Sequence, residues 1–248
     1  MTAPLGDAAL AHDLARSAGE LLLDLQNEAR ETGILGWPLE DQGDAIAHQH
    51  LLERLSAERP DDAVLSEEGH GVHNRLTRDR TWVVDPLDGT EGFGRGVAEW
   101  AVHVALTIGG EPAVGAVSIP HLGLVASSHS PVGRESGDRR RVVVTGRSRA
   151  WVDGERVARA IDAELASCGS AGVKAMLVAT GRADVYVHAG PLYEWDACAP
   201  AIVADACGLV AVAPDGTRLR FNQPEPVVPG LVISTPELVE DVLAALGV

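Results

Sequence analysis

Lysine is almost missing from this chain. Of its 20 basic residues one is lysine, Lys174, and the other 19 are arginine. Cysteine is scarce too: Cys168, Cys198 and Cys207 are the only three. They form no Cys-x-x-Cys pair, have no zinc-ligand spacing and are odd in number. That argues against a disulfide framework and a structural zinc site. It fits a reducing, cytoplasmic location, which is the expectation. No apolar run reaches the roughly 18 residues that a membrane helix needs, and the N-terminus lacks the basic region, apolar run and cleavage site of a signal peptide. No membrane partner is expected. Positive charge is in short supply overall, with 36 acidic residues and a net charge of −16 at a pI of about 4.9. Such a surface repels polyanions, which excludes a nucleic acid polymer as partner. A small phosphorylated molecule would be repelled as well, unless cations reverse the field locally.

What is present is enough for a core: 46% of the 248 residues are hydrophobic. That length suits one large domain or two small ones. Leu10, Leu14, Ala18, Leu21, Leu22 and Leu25 recur at helical spacing. A break follows over Gly33 to Pro38, and a second helix is expected from Asp44 to Ala57. Then the period changes. Ala63-Val64-Leu65, Thr81 to Val84, Trp100 to Ile108, Pro112 to Ile119 and Leu124 to Ala126 read as strands, with Gly109-Gly110 as a turn. Ser127 to Arg140 reads as a surface loop. Beyond it strands and helices alternate: strand 141–145, helix 153–166, helix 170–181, strand 184–188, helix 196–207 and strand 231–233. A last helix is expected to start at Thr235 as N-cap with Pro236 next. This pattern predicts an α+β part over residues 1–140 carrying the site motif, and an α/β part over 141–248 completing it.

The chemistry concentrates in Asp85-Pro86-Leu87-Asp88-Gly89-Thr90. An apolar strand leads into a turn made by Pro86 and Gly89, which can fold Asp88 back beside Asp85. Two adjacent carboxylates repel unless a cation lies between them. Carbonyls of the turn, such as that of Leu87, would add oxygen ligands, and an all-oxygen set suits Mg²⁺. Taken alone, the run could equally be an ordinary turn with solvated aspartates. Glu67-Glu68 leaves a neighbouring strand, Asp41 and Asp44 begin a helix, and Glu194-Trp195-Asp196 begins another. Each of these, alone, reads as loop or helix-capping chemistry. His70 and His73 read as loop residues, since Mg²⁺ prefers oxygen.

Glu67-Glu68, the run Trp82 to Thr90, and Trp195-Asp196 in that order resemble the inositol monophosphatase superfamily across most of the chain. The resemblance implies the layered αβαβα sandwich of the inositol monophosphatase and fructose-1,6-bisphosphatase type. It implies metal ligation by Glu67, Asp85, the Leu87 carbonyl, Asp88 and Asp196, with two or three Mg²⁺ ions. Glu67, Asp44 and Thr90 become catalytic, the last two orienting and deprotonating the attacking water. Asp88 and the Gly89 and Thr90 amides become phosphate contacts. A small phosphate ester as substrate, lithium inhibition and a monomer or homodimer follow from the same likeness.

Within the superfamily the nearest likeness is to bacterial 3′(2′),5′-bisphosphate nucleotidases, whose substrate arises in sulfate assimilation. It rests on Val64 to Glu68, Glu194-Trp195-Asp196, Val144 to Arg149 and Gly169 to Lys174. It implies substrate contacts from Arg147, Ser148, Arg149, Ser170, Lys174 and Glu194. Ser170 can cap a helix with its amides aimed at an anion, one turn from Lys174. One departure stands out. Those enzymes carry Lys/Arg-Glu after the threonine, whereas this chain has Glu91-Gly92. Inositol, fructose-bisphosphate and histidinol-phosphate phosphatases of the same fold are alternatives. So is a non-catalytic binder of phosphometabolites, against which the intact carboxylate set argues.

Overall fold

The structure is a computed structural model and describes residues 6–69, 75–135, 137, 139–147 and 150–248. Two packed helices come first. α1 (Asp7–Thr32) buries Leu10, Leu14, Ala18 and Leu22 and ends at Gly33, whose φ of 74° lets its N–H reach the Ala29 carbonyl. α2 (Trp37–Glu58) begins seven residues earlier than the Asp44 expected from sequence. Pro38, read there as part of a break, lies in the first helical turn, where its missing N–H leaves no bond unmade. Asp41 and Asp44 therefore project from within a helix and cap nothing.

Next come β1 (Ala63–Ser66), β2 (Arg80–Asp88), the short helix α3 (Thr90–Gly94), β3 (Ala101–Ile108), β4 (Glu111–Ile119) and β5 (Leu124–Ser127). The five strands form one sheet in chain order, with β1 and β2 parallel and the rest antiparallel. β2 does not stop at Asp85. It continues to Asp88 through a register irregularity opposite β3. A bulge, not a tight turn, accommodates Pro86.

The chain then passes to a second sheet. Its elements are β6 (Val142–Thr145), α4 (Ala150–Ala160), β7 (Glu164–Ser167), α5 (Ala171–Ala179) and β8 (Val185–His188). They are followed by β9 (Leu192–Tyr193), α6 (Glu194–Ala206), β10 (Val210–Val212), β11 (Val227–Val228), β12 (Leu231–Ser234) and α7 (Val239–Leu246). The sheet order is β10-β12-β8-β6-β7, and β9 pairs separately with β11. Two sequence readings change here. The helix read over 153–166 ends at Ala160, Asp162 turns at a φ of 50°, and 164–167 is the edge strand β7. Thr235-Pro236-Glu237 forms a turn closed by Leu238 N–H to the Thr235 carbonyl (3.1 Å), and α7 starts only at Val239.

Three apolar clusters define five layers. α1 and α2 pack Leu14, Leu22, Leu51 and Leu55 against Trp82, Val84, Val102 and Val104 on one face of the first sheet. Val83, Ala101, Ala105 and Val117 on its other face meet α5 and α6, which in turn cover Val144, Tyr186 and Ile233 of the second sheet. α4 and α7 close the far side through Val157, Ile161 and Val242. The result is an αβαβα sandwich, with α5 and α6 shared between the sheets.

Candidate active site

Strand period two decides which β2 side chains face the middle layer. Trp82 and Val84 point to α1 and α2, so Val83 and Asp85 point to α5 and α6. β3 places His103 directly across from Asp85. After the bulge, Leu87 N–H donates to Asp85 Oδ1 (3.1 Å) and Asp88 returns to the same side. Asp196, in the first turn of α6, completes a triad whose carboxylate oxygens lie within 4.8 Å of one another. Glu67, just beyond β1, lies close enough to Asp85 for each to shift the other's carboxyl. Asp85, Asp88 and Asp196, grouped by the family resemblance, lie together here, with Glu67 beside Asp85.

Burial and mutual repulsion govern their charge. Asp85 is 1% exposed. Burial, then Asp88, Glu67 and Asp196, push its carboxyl well above the usual range. Burial and Asp88 raise Asp196 to about 7. Burial, helped by Glu68, raises Glu67. Asp88 behaves oppositely. Burial alone would raise it, but His103, Lys174 and Ser170 outweigh that and bring it to about 2. Its Oδ2 accepts from the Ser170 hydroxyl and from Gly172 N–H (2.7 Å), and its Oδ1 from Ala171 N–H (3.1 Å). Thus Asp88 caps the N-terminus of α5, where free amides and the helix dipole favour an anion.

The anion expected at Ser170 was a substrate phosphate; here the Asp88 carboxylate takes those amides. Lys174 is likewise turned inward. It is 3% exposed, and Nζ donates to the carbonyls of Cys168 (3.1 Å), Gly169 (3.0 Å) and Ser170 (2.7 Å). The ammonium sits 5.2 Å from the centroid of the buried Tyr186 ring. Glu194 is fully buried and accepts the N–H groups of Asn222 (2.6 Å) and Gln223 (2.8 Å). Arg75 clasps the same loop through Asn222 Oδ1 (2.8 Å) and the Gln223 carbonyl (2.8 Å). Glu194 therefore organises a loop with its whole carboxylate.

Thr90 Oγ1 donates to the Leu87 carbonyl at 3.0 Å and lies 3.5 Å from Asp44 Oδ1. Burial, then Glu68 and Glu67, raise Asp44 to about 7. Gly89 has a φ of 94°, and a Cβ there would fall 2.4 Å from the Glu99 carbonyl oxygen, so only glycine fits. Arg147 follows β6 and pairs with Glu99. Ser148, Arg149, His70 and His73 lie outside the described residues.

Sequence reasoning missed His103. It is fully buried, with Nε2 3.2 Å from Asp88 Oδ2 and Nδ1 3.0 Å from the Trp195 carbonyl. It links the bulge of β2 to the start of α6. A lone histidine in a largely apolar strand was the available signal. The cluster's chemistry fits a hard divalent cation. It offers oxygen donors only, on a rigid platform, and its like charges are held together in a buried place that leaves two carboxyls protonation-prone without a counter-ion.

The inositol monophosphatase family model matches residues 9–246. The chain belongs to the inositol monophosphatase family. A relative from Mycobacterium leprae (strain TN), named 3′-phosphoadenosine 5′-phosphate phosphatase, is 40% identical over 260 aligned positions, covering 98% of this chain and 94% of that protein. A 3′(2′),5′-bisphosphate nucleotidase CysQ from Escherichia coli (strain K12) is 29% identical, covering 89% and 96%. The extragenic suppressor protein suhB of Bartonella henselae superposes with a TM-score of 0.77 over 96% of this chain and 97% of that one; at 23% identity it bears on the fold alone. This inositol monophosphatase family member is thus a phosphatase, a hydrolase of small phosphate esters. No helix among the described residues is long and apolar enough to cross a membrane.

Proposed function

We propose that this phosphatase hydrolyses the 3′-phosphate of 3′-phosphoadenosine 5′-phosphate in a Mg²⁺-dependent reaction, giving AMP and phosphate. The observation that carries the substrate is the 40% identity, over nearly the whole of both chains, to a protein named for that activity. The observation that carries the reaction class is the cluster of buried Asp85 and Asp88 with half-buried Asp196, with Glu67 and Thr90–Asp44 at its edge.

Glu67, Asp85, the Leu87 carbonyl, Asp88 and Asp196 would hold two or three Mg²⁺ ions, which would neutralise the phosphate and make bound water more acidic. The chain's own residues do the rest. Thr90, between the Leu87 carbonyl and Asp44, orients the attacking water, and Asp44 takes its proton. The amides of Gly89 and Thr90 contact the phosphate oxygens. Water adds to phosphorus in line, the bond to the 3′-oxygen breaks, and that oxygen takes a proton from a solvent water, while Asp44 later returns its own proton to solvent. His103 and the start of α5 keep Asp88 ionised and fixed throughout.

³¹P NMR of the product tests this. With Mg²⁺, 3′-phosphoadenosine 5′-phosphate should give AMP and inorganic phosphate, and a chelator or Li⁺ should suppress the reaction. Formation of adenosine 3′-monophosphate, or turnover indifferent to chelation, would contradict the proposal.

A further inference from the structure

After Thr90 this chain carries Glu91-Gly92, and the structure shows what occupies the space. Glu91 is solvent-exposed; it pairs with Arg95 at 3.4 Å and its charge also acts on Arg147. Gly92 has no side chain, and a Cβ there would lie 2.9 Å from the Glu99 carbonyl oxygen and 3.3 Å from its Cβ. Gly89 is pressed by the same carbonyl. The backbone at Glu99 therefore lies flat on the metal motif, an approach that two glycines permit.

From that position the Glu99 carboxylate makes two contacts through one oxygen. It accepts from Nη2 of Arg147 and from Gly169 N–H at 3.4 Å. Gly169 precedes Ser170, whose hydroxyl holds Asp88. One side chain thus ties the segment behind α3, the end of β6 and the loop before α5 together, one residue from a contact to the metal motif.

Arg147 is 51% exposed, and among the described residues its Nε and Nη1 have no partner. A guanidinium presents five donors in a rigid fork that matches phosphate oxygens. Lys174, the other cation of this region, gives its protons to three carbonyls. Arg147 is therefore the one of the two that faces solvent with donors to spare.

We propose that Glu99 is a positioning residue. It holds Arg147 at the mouth of the site with its free edge turned to a second phosphate, the one that is not hydrolysed. This rests on the bisphosphate reading given above. A half-exposed arginine otherwise loses rotamer freedom when it binds, and a carboxylate that orders it beforehand removes that cost from the substrate.

The test compares the parent protein with Glu99→Ala and Glu99→Gln, in Mg²⁺, on 3′-phosphoadenosine 5′-phosphate and on adenosine 3′-monophosphate, which lacks the second phosphate. Loss of the ordering should raise KM for the bisphosphate about tenfold in Glu99→Ala and less in Glu99→Gln. In both variants kcat, and KM for the monophosphate, should stay within about twofold. An unchanged or lowered KM for the bisphosphate in Glu99→Ala overturns the proposal, because the carboxylate would then be idle or a competitor. Equal rises for both substrates overturn it too, since a general distortion does that. A parent that does not discriminate the two substrates removes the bisphosphate reading itself. A discriminating parent whose variants discriminate equally well removes only the role of Glu99.

Discussion

Gly172 and His103 share one space: a Cβ on Gly172 would fall 2.2 Å from His103 Nε2. The glycine lets α5 approach β3 closely enough for His103 to touch Asp88 while Gly172 N–H donates to the same carboxylate. The helix and the histidine therefore fix Asp88 from two sides.

Gly172→Ala should break this arrangement. Overpacking of this kind costs about 1–3 kcal/mol, or a fall in Tm of roughly 3–10 °C for a chain of this length. kcat/KM should fall as Asp88 moves. Thermal unfolding and initial rates check both, and an alanine variant with parental Tm and rate would show that the helix can shift freely.

Asp88→Asn removes a charge that three donors and a histidine converge on. An amide nitrogen cannot accept from them. We expect kcat/KM to drop by more than about 100-fold, beyond the usual effect of residues that merely support a metal ligand. Added Mg²⁺ should also cease to raise Tm. Melting curves with and without Mg²⁺ report this independently of activity.

The raised carboxyls give stability a definite pH slope. Without a cation Asp44 and Asp196 titrate near 7 in the folded protein, against 3.8 when unperturbed, and Glu67 and Asp85 are raised as well. Between about pH 4 and 7 the folded state then binds more protons than the unfolded one, so these groups lower stability as pH rises, with the contribution of Asp44 and Asp196 levelling off above 7. Asp88, held at about 2, contributes stability that is lost only as pH falls from about 4 toward 2. Metal-free protein should therefore melt at lower temperature at pH 8 than at pH 5.5. Mg²⁺ should stabilise it more at pH 8, because binding displaces protons. A cation effect independent of pH would refute this.

Lys174 explains its own survival among 19 arginines. Three carbonyls converge on Nζ at 2.7–3.1 Å, a geometry that a compact ammonium satisfies and a planar fork does not. Lys174→Ala leaves three carbonyls short of a donor and should cost about 2–5 kcal/mol. Lys174→Arg should fail to rescue it. Denaturant titration decides, and full recovery by arginine would mean that charge alone matters.

Much of this was legible in the chain. Asp85 to Thr90 stood out because an apolar strand runs straight into acids, Pro86 and Gly89. Asp196 stood out beside Trp195. Asp44 was singled out, but at the start of a helix, because Pro38 reads as a breaker until its place in the first turn is known. The four-residue strand β7 was hidden because its largely exposed side chains carry no alternating signal. Glu194 resembled a site residue because it precedes Trp195-Asp196. Its partners, Asn222 and Gln223, lie 28 and 29 residues away and only folding brings them to it. Glu99 and His103 have no motif of their own; their roles arise from close approaches that glycines at 89, 92 and 172 permit.

The most direct test of the central claim is kcat/KM in Mg²⁺ across a panel of 3′-phosphoadenosine 5′-phosphate, inositol 1-phosphate, fructose 1,6-bisphosphate and histidinol phosphate. The adenosine bisphosphate should be the best substrate by at least about tenfold, equivalent to about 1.4 kcal/mol of transition-state discrimination. A higher value for any of the other three would contradict the account.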